Sequence, residues 1–555
     1  MKKKILSYIL FAFVGLTMGV LIQPLISNDG LYDQIRKYQE VISNAVKNYV
    51  EPVDTQKLTE SAIRGMLSEL DPHSVYITAE EMKGVDEDFK GSFEGVGIQF
   101  DVIDDTIVVI SPISDGPSEK LGIQSGDKIV KIDDENAVGI NRDQVPKKLR
   151  GPKGSKVKLG IKRSGKNEIL TFEVIRDKIP LYTVDASFML DSTDIGIIVV
   201  NRFAATTHDE LVQALRKLKQ EGMKKLILDL RGNPGGYLNQ AFLMADHFLK
   251  GGDTIVYTKG RRPEFDEVYK STPGGLVEDI PLIVLINAGS ASASEIVSGS
   301  IQDLDRGLIV GETSFGKGLV QRQYPLPDGS AYRITIARYY TPSGRCIQRP
   351  FQDKANYRNL VGRLELKEGS NIEHALEMVK KEIKEENEKN IKDNKKGSAI
   401  NLDSIPLYYT RSGRTVLGGG GIVPDYIVKQ DTITKFSIQL RMNRVFYEYV
   451  DKYLDNGRNL DADYRNNYIS FIRNWKVTNK MMEDFRTLAE SKGVKWDEES
   501  YKRDEDFIKT EIKGTVARSL WDRNAYVQVF FSIDKQVNMA KGLFDEATKI
   551  ATKKK

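Results

Sequence analysis

Apolar positions recur with two different periods along this chain. From Asp33 to Leu70 they fall three and four residues apart, at Ile35, Tyr38, Val41, Ile42, Ala45, Val46 and Tyr49, which predicts a helical region ending at L-D-P-H-S-V-Y (70–76). From about Phe89 to Lys178 the runs are short and separated by turn signals: G-S-F-E-G-V-G-I-Q-F (91–100), T-I-V-V-I-S-P-I (106–113), L-G-I-Q-S-G-D-K-I-V-K-I (121–132), V-K-L-G-I (157–161) and I-L-T-F-E-V (169–174). That pattern predicts a small strand-rich domain. From Ile195 the texture becomes α/β. I-G-I-I-V-V (195–200) precedes a helix opened by the capping box T-H-D-E (207–210), and L-I-L-D-L (226–230) runs through R-G-N-P-G-G (231–236) into a helix over Leu238 to Leu249. D-T-I-V-Y (253–257) follows, then the apolar run Pro281 to Ile286, a turn at Ala288 and Gly289, and a helix over Ala293 to Leu304. L-I-V-G (308–311) and the alternating Y-R-I-T-I-A-R-Y-Y (332–340) complete the region. Repeated strand–helix units predict an open sheet with helices on its faces, whose ligands bind in loops at strand ends. Beyond Asp431 the helical period returns, with Phe446, Tyr449 and Tyr453 and the amphipathic stretch Val516 to Phe544, and predicts a helical C-terminal domain with a packing, regulatory or oligomerisation role.

Two segments stand apart from this alternation. Residues 1–27 join Lys2 to Lys4 with an apolar run from Ile5 to Ile22, the pattern of an export signal or an N-terminal membrane anchor. With no clear A-x-A cleavage site a retained anchor is the first expectation and a cleaved signal the second, either placing the protein outside the cytoplasm, in a periplasm. Met378 to Lys396 is a charged run without aromatics, expected to be a solvated helix or a mobile insertion. The motif Y-Y-T-x-S-G-R occurs twice, at 339–345 and 408–414, and both copies read as hairpins completing the α/β region.

Composition narrows the function. The 555 residues should hold roughly three or four domains. A net charge of +4, with six lysines at the two ends, leaves a nearly neutral body and no basic face for nucleic acid. A single cysteine, Cys346, excludes an internal disulfide and a cysteine-based zinc site.

The candidate chemistry gathers in loops. N-A-G-S-A-S-A-S-E-I (287–296) sets Ser290, Ser292 and Ser294 where a buried strand becomes a helix, and there free N–H groups and the helix dipole favour an anion developing beside a hydroxyl. The spacing does not choose among the three. R-G-N-P-G-G can bring backbone N–H groups close to a substrate carbonyl. Of the four histidines, His73, His208, His247 and His374, none sits in a motif suited to a base. Lys317, framed by glycines in G-E-T-S-F-G-K-G-L-V-Q (311–321), can serve if burial keeps its amine neutral, which requires lowering its pKa by roughly 3 units, about 4 kcal/mol. Gln321 could hold that amine through its amide oxygen. Glu295, in the first turn of the helix, reads as a stabiliser of the helix N-terminus.

G-V-G-I (95–98) followed by D-G-P-S-E-K-L-G-I-Q-S-G-D-K-I (115–129) resembles a PDZ domain. Gly95, Val96, Gly97 and Ile98 match that family's carboxylate-binding loop, a nest of N–H groups able to capture a peptide's terminal carboxylate while the peptide adds as a strand. Leu121 and Ile123 are expected beside an aliphatic pocket for an apolar last residue.

Together, N-A-G-S-A-S-A-S-E, the lysine loop, L-D-P-H-S-V-Y, D-L-R-G-N-P-G-G and the PDZ-like segment resemble the carboxyl-terminal processing peptidases, or tail-specific proteases, over roughly Leu31 to Val428. The resemblance implies Ser292 as nucleophile, Lys317 as general base, Gln321 as its supporting partner, and an oxyanion hole from the N–H of Ala293 with that of Gly235 or Gly236. It implies a fold with an α/β, crotonase-like catalytic core, an inserted α+β PDZ domain, an N-terminal helical segment and a helical C-terminal domain. The expected boundaries are 31–88 for the helical segment, 89–178 for the PDZ domain, 179–430 for the catalytic domain with its charged insertion at 352–400, and 431–555 for the helical domain. The expected partners are proteins or peptides with free C-termini, the membrane through the N-terminal segment, and a possible second copy or adaptor. No metal or cofactor is expected. Two other classes fit less well: acyl-coenzyme A chemistry does not suit a PDZ domain and an export segment, and a non-catalytic PDZ scaffold would be expected to lack Ser292 or Lys317.

Overall fold

The computed structural model describes residues 29–113, 116–163, 166–349, 362–365, 367–392, 406–455, 460, 464 and 467–552. The segment 1–27, read as a signal or anchor, lies outside them, and among the described residues no helix is long and apolar enough to cross a membrane. The chain divides into two compact units, one holding the residues up to Ala79 with Arg322–Ile334, the other Glu80–Gln321 with Thr335–Lys555.

In the first unit, helices Asp29–Asn48 and Thr55–Ser68 precede a short strand, Val75–Ile77, that pairs antiparallel with residues 331–333. The turn between helix and strand explains L-D-P-H-S: the Asp71 carboxylate accepts from the His73 N–H (2.7 Å), the Ser74 N–H (3.0 Å) and the Ser74 hydroxyl (2.8 Å).

In the second unit, the PDZ region is a six-stranded sheet closed over Val96, Ile98, Ile107, Val109, Ile129 and Leu159. The α/β region is built on a second sheet: β1 (Val184–Met189), β2 (Ile195–Val200), β3 (Lys225–Asp229), β4 (Leu282–Ile286), β5 (Leu308–Gly311) and β6 (Tyr426–Ile427), side by side in chain order. β1 runs antiparallel to β2, and the remaining neighbours are parallel. β2, β4 and β5 are apolar throughout because both faces are covered. Leu226, Leu228, Val284 and Ile286 point to one side, against helices α1 (Thr207–Gln220), α2 (Leu238–Asp246) and α3 (Ala293–Asp303). Ile227, Ile283, Leu285 and Val310 point to the other, where they meet Val527 and Phe531 of α4 (Arg523–Phe531), Val537 and Ala540 of α5 (Lys535–Gly542), and Phe544 and Ala547 of α6 (Phe544–Thr552).

The stretch beyond Asp431 therefore divides between two cores. Residues 436–529 supply a separate aromatic-rich cluster around Phe446, Phe471, Trp475 and Phe485, while α4 to α6 close the second face of the catalytic sheet. The first of these parts also reaches the PDZ region, through Arg444 to Asp101 (2.7 Å) and Lys492 to Asp104 (3.0 Å).

The described part of the charged run lies in a helix, Ile372–Lys392, as expected, and is largely exposed, but Val379 and Ile383 continue a stripe from Ile372, Ala375 and Leu376 that is buried with Leu417, Val423 and Ile427. Charged residues crowd the other face and hide the apolar spacing. The two Y-Y-T-x-S-G-R copies are tight turns that grip the acidic end of α3. Arg345 lies 2.7 Å from Asp303, which also accepts from Ser343, and Arg414 bonds Asp305 (2.8 Å), which accepts from the Ser412 N–H.

Candidate active site

The three serines separate by what their hydroxyls do. Ser290 is buried and donates to the Leu230 carbonyl (2.8 Å), and Ser294 is buried and donates to the Asn233 carbonyl (2.9 Å). Both tie the turn before α3 to the loop that follows β3. Ser292 is partly exposed and takes φ +53°, ψ −110° at the N-cap of α3, a backbone conformation strongly disfavoured for any residue bearing a Cβ. Surrounding hydrogen bonds over-determine it: the Asn287 carboxamide oxygen accepts from Gly289 and Gly232 N–H groups, and the Ala291 N–H donates to the Asn233 carbonyl.

R-G-N-P-G-G passes directly beside Ser292. At Gly235 (φ +97°) a Cβ would lie 2.8 Å from Ser292 Cβ and 2.9 Å from the Ala293 nitrogen, so only glycine permits this approach. The Gly235 N–H is spent on Asn233 Oδ1 (2.9 Å). The N–H groups of Gly236 and of Ala293, first residue of α3, donate to nothing among the described residues. Of the two glycines named from sequence, Gly236 thus has the available donor.

Lys317 enters from the loop after β5, and its Nζ donates to Gln321 Oε1 (2.9 Å). Glu295 joins the two sides. Fully buried, its carboxylate accepts from the Ser292 N–H (2.8 Å) and the Lys317 N–H (2.9 Å) on one oxygen, and from the Gly316 N–H (2.7 Å) and the Ser314 hydroxyl on the other. Burial pushes its pKa up, against the pull of these four donors. Tyr339, also buried, directs its hydroxyl at the carbonyls of Lys317 and, at 3.1 Å, Ser292. A phenol has one proton, so the shorter bond to Lys317 is the donating one. Burial, with the Glu295 charge nearby, drives the Tyr339 pKa well above that of an ordinary phenol and keeps the donor in place.

Sequence reading missed Tyr339, whose only signal is its place at the head of Y-Y-T-x-S-G-R, and it saw in Glu295 only the cap. The histidines lie elsewhere: His208 and His247 face each other, Nε2 to Nε2 at 3.0 Å, and His374 is on the helix Ile372–Lys392. No group of three or more His, Cys, Asp or Glu among the described residues could hold a metal ion.

In the PDZ region Gly95 ends a strand paired with Asp177, Gly97 has φ +73°, and Ile98 opens the edge strand Ile98–Ile103. Val96 is buried, its carbonyl accepting from the Ser118 hydroxyl (2.6 Å), while the Val96 and Gly97 N–H groups donate to nothing among the described residues. Leu121 is 43% exposed, and Ile123, at 2%, packs in the domain core.

Residues 194–353 match the family described as Peptidase family S41, 95–175 the PDZ domain, 24–81 the activating protease CtpB N-terminal domain, and 436–522 a family of unknown function. A carboxy-terminal-processing protease of Bartonella bacilliformis is 39% identical over 354 residues, which are 63% of this chain and 81% of that protein. The carboxy-terminal processing protease CtpA of Bacillus subtilis is 37% identical over 58% of this chain and 68% of its own length. A solved photosystem II D1 C-terminal processing protease is 30% identical, covering 56% of this chain and 84% of that one with a TM-score of 0.32.

Proposed function

Since the chain belongs to the carboxyl-terminal processing peptidases, serine peptidases of family S41 carrying a PDZ domain, we propose that it cleaves protein substrates with Ser292 as nucleophile and Lys317 as general base, after the PDZ domain has captured an apolar free C-terminus. The observation that carries the dyad is Glu295. One carboxylate oxygen binds the backbone N–H of both Ser292 and Lys317, so two loops separated by 25 residues are held in register.

Neutral Lys317 Nζ takes the hydroxyl proton of Ser292 as the oxygen attacks a peptide carbonyl, and Gln321 Oε1 keeps the amine turned toward its task. The carbonyl oxygen gains negative charge and is received by the Ala293 and Gly236 N–H groups, which need no reorganisation to meet it. The protonated lysine returns its proton to the departing amine, leaving an acyl group on Ser292. Water, deprotonated by the regenerated amine, then hydrolyses the ester. Gly235 acts by absence of a side chain, allowing the loop to approach Ser292.

In the PDZ domain, Gly95 to Ile98 supply the nest for the terminal carboxylate, Leu121 borders the site of the last side chain, and the unpaired edge of Ile98–Ile103 receives the tail as a strand. The lysine-led apolar segment at the N-terminus supports an activity outside the cytoplasm, at the membrane. Association with a second copy or an adaptor belongs to the same reading.

The test compares one unfolded substrate ending in a free apolar residue with the same chain ending in an amide. Losing the charge-assisted bonds of the carboxylate, worth about 1.5 to 3 kcal/mol, should lower kcat/KM by roughly 10- to 100-fold. Equal cleavage of the two would rule out carboxylate capture.

A further inference from the structure

We propose that Asp534 and Gln536, at the start of α5, are positioning residues for the peptidase reaction, holding the Arg231 end of R-G-N-P-G-G so that the Gly236 N–H stays aimed at the reacting carbonyl. The proposal rests on the oxyanion role given to that loop above. Ser290 and Ser294 tie the loop's backbone at the Leu230 and Asn233 carbonyls. At its beginning, the Arg231 side chain is only 8% exposed and all three guanidinium nitrogens are bonded: Nε and Nη2 bond the Asp229 carboxylate (2.6–3.0 Å), while Nη1 bonds Asp534 Oδ2 (2.7 Å) and Gln536 Oε1 (2.9 Å). Phe531 of α4 lies against it, with the guanidinium carbon 5.6 Å from the ring centroid.

Asp534 is fixed in turn. Its other oxygen caps α5 by accepting from the Gln536 and Val537 N–H groups (2.9 and 3.0 Å), and the fully buried Gln536 donates to the Val428 carbonyl (2.7 Å) at the end of β6. Asp229 alone would balance the charge of Arg231. The second carboxylate and the carboxamide add direction, since a planar guanidinium held on two edges cannot swing. Residues 303 and 305 positions away in sequence therefore set where a glycine-containing loop begins. The rest of the loop is bonded too, the Gly232 N–H to Asn287 Oδ1 (2.8 Å), Asn233 Nδ2 to the Val200 carbonyl (2.9 Å) and the Phe203 N–H to the Gly235 carbonyl (2.9 Å), so Arg231 fixes its entry, and a displacement of about 1 Å at a reacting centre costs on the order of 100-fold in rate.

Asp534→Asn separates positioning from folding, because asparagine caps a helix about as well as aspartate but carries no charge for Arg231. With one free-tailed peptide substrate, kcat of the full-length Asp534→Asn protein should fall by roughly 10- to 100-fold with KM within about twofold of the unmutated value. Asp534→Glu should recover most of the loss. Amide hydrogen exchange in a fragment covering 231–237 should quicken in Asp534→Asn, while that of α3 stays unchanged. An unchanged kcat, unchanged exchange in the loop, or a loss fully explained by a smaller folded fraction would overturn the proposal. An unmutated protein that cleaves no free-tailed substrate would instead overturn the peptidase mechanism on which the proposal rests.

Discussion

Ser292→Ala and Lys317→Ala are each expected to lower kcat/KM for a free-tailed substrate by on the order of 10⁴-fold or more, with the fold intact. The hydroxyl of Ser292 is not used to tie the turn to the glycine loop, as those of Ser290 and Ser294 are, so its loss should cost little stability. The two substitutions should not multiply: a nucleophile and its base act as a unit, and the double variant should retain about as much activity as either single one. Lys317→Arg is no rescue, because a guanidinium stays protonated. Ser290→Ala and Ser294→Ala are the contrasting controls. Each removes one of the two donors to a buried carbonyl, that of Leu230 or Asn233, and should reduce stability and rate together, by far less than the loss at Ser292. Full cleavage by Ser292→Ala or Lys317→Ala, measured on the purified protein, would remove that residue from the mechanism.

The second large effect is expected at Glu295. Glu295→Ala strips the acceptor from three backbone N–H groups and the Ser314 hydroxyl, all in a buried site. Each unsatisfied donor costs about 1 to 3 kcal/mol, so the variant should unfold at a clearly lower temperature. Glu295→Gln preserves size but presents an NH₂ group to two of those donors in either orientation. It should remain folded, with the serine and lysine loops displaced from one another and kcat reduced by roughly 100-fold at little change in KM. Kinetics and thermal unfolding of the two variants check this. A Glu295→Gln enzyme with unmutated kcat would show that the shared carboxylate does not set the register of the dyad.

Much of this arrangement is legible in the order of residues. Apolar runs at 195–200, 226–230, 281–286 and 308–311 become neighbouring parallel strands, and the glycines at 235 and 236 stand where the chain must pass Ser292 and the Phe203 carbonyl without a side chain between. What sequence conceals is long-range hydrogen bonding. Spacing leaves three serines equivalent, and the difference between them depends on the Leu230 and Asn233 carbonyls some 60 residues earlier. Tyr339 reads as one more aromatic in an alternating strand because its partners are main-chain carbonyls, which have no sequence signature. The helices beyond residue 523 read as part of an appended domain because amphipathic spacing reports that a face is buried, not what covers it. The charged insertion misleads in the opposite sense: composition outweighed an apolar stripe that is present at helical spacing.

Covalent trapping gives the sharpest test of the Ser292–Lys317 assignment. The full-length protein is treated with a peptidyl fluorophosphonate ending in a free carboxylate, digested, and mapped by mass spectrometry. The expected result is one adduct, on Ser292, lost in Ser292→Ala and slowed at least about 100-fold in Lys317→Ala, because the serine then has no base. An adduct on Ser290 or Ser294, or labelling of Ser292 at an undiminished rate without Lys317, would contradict it.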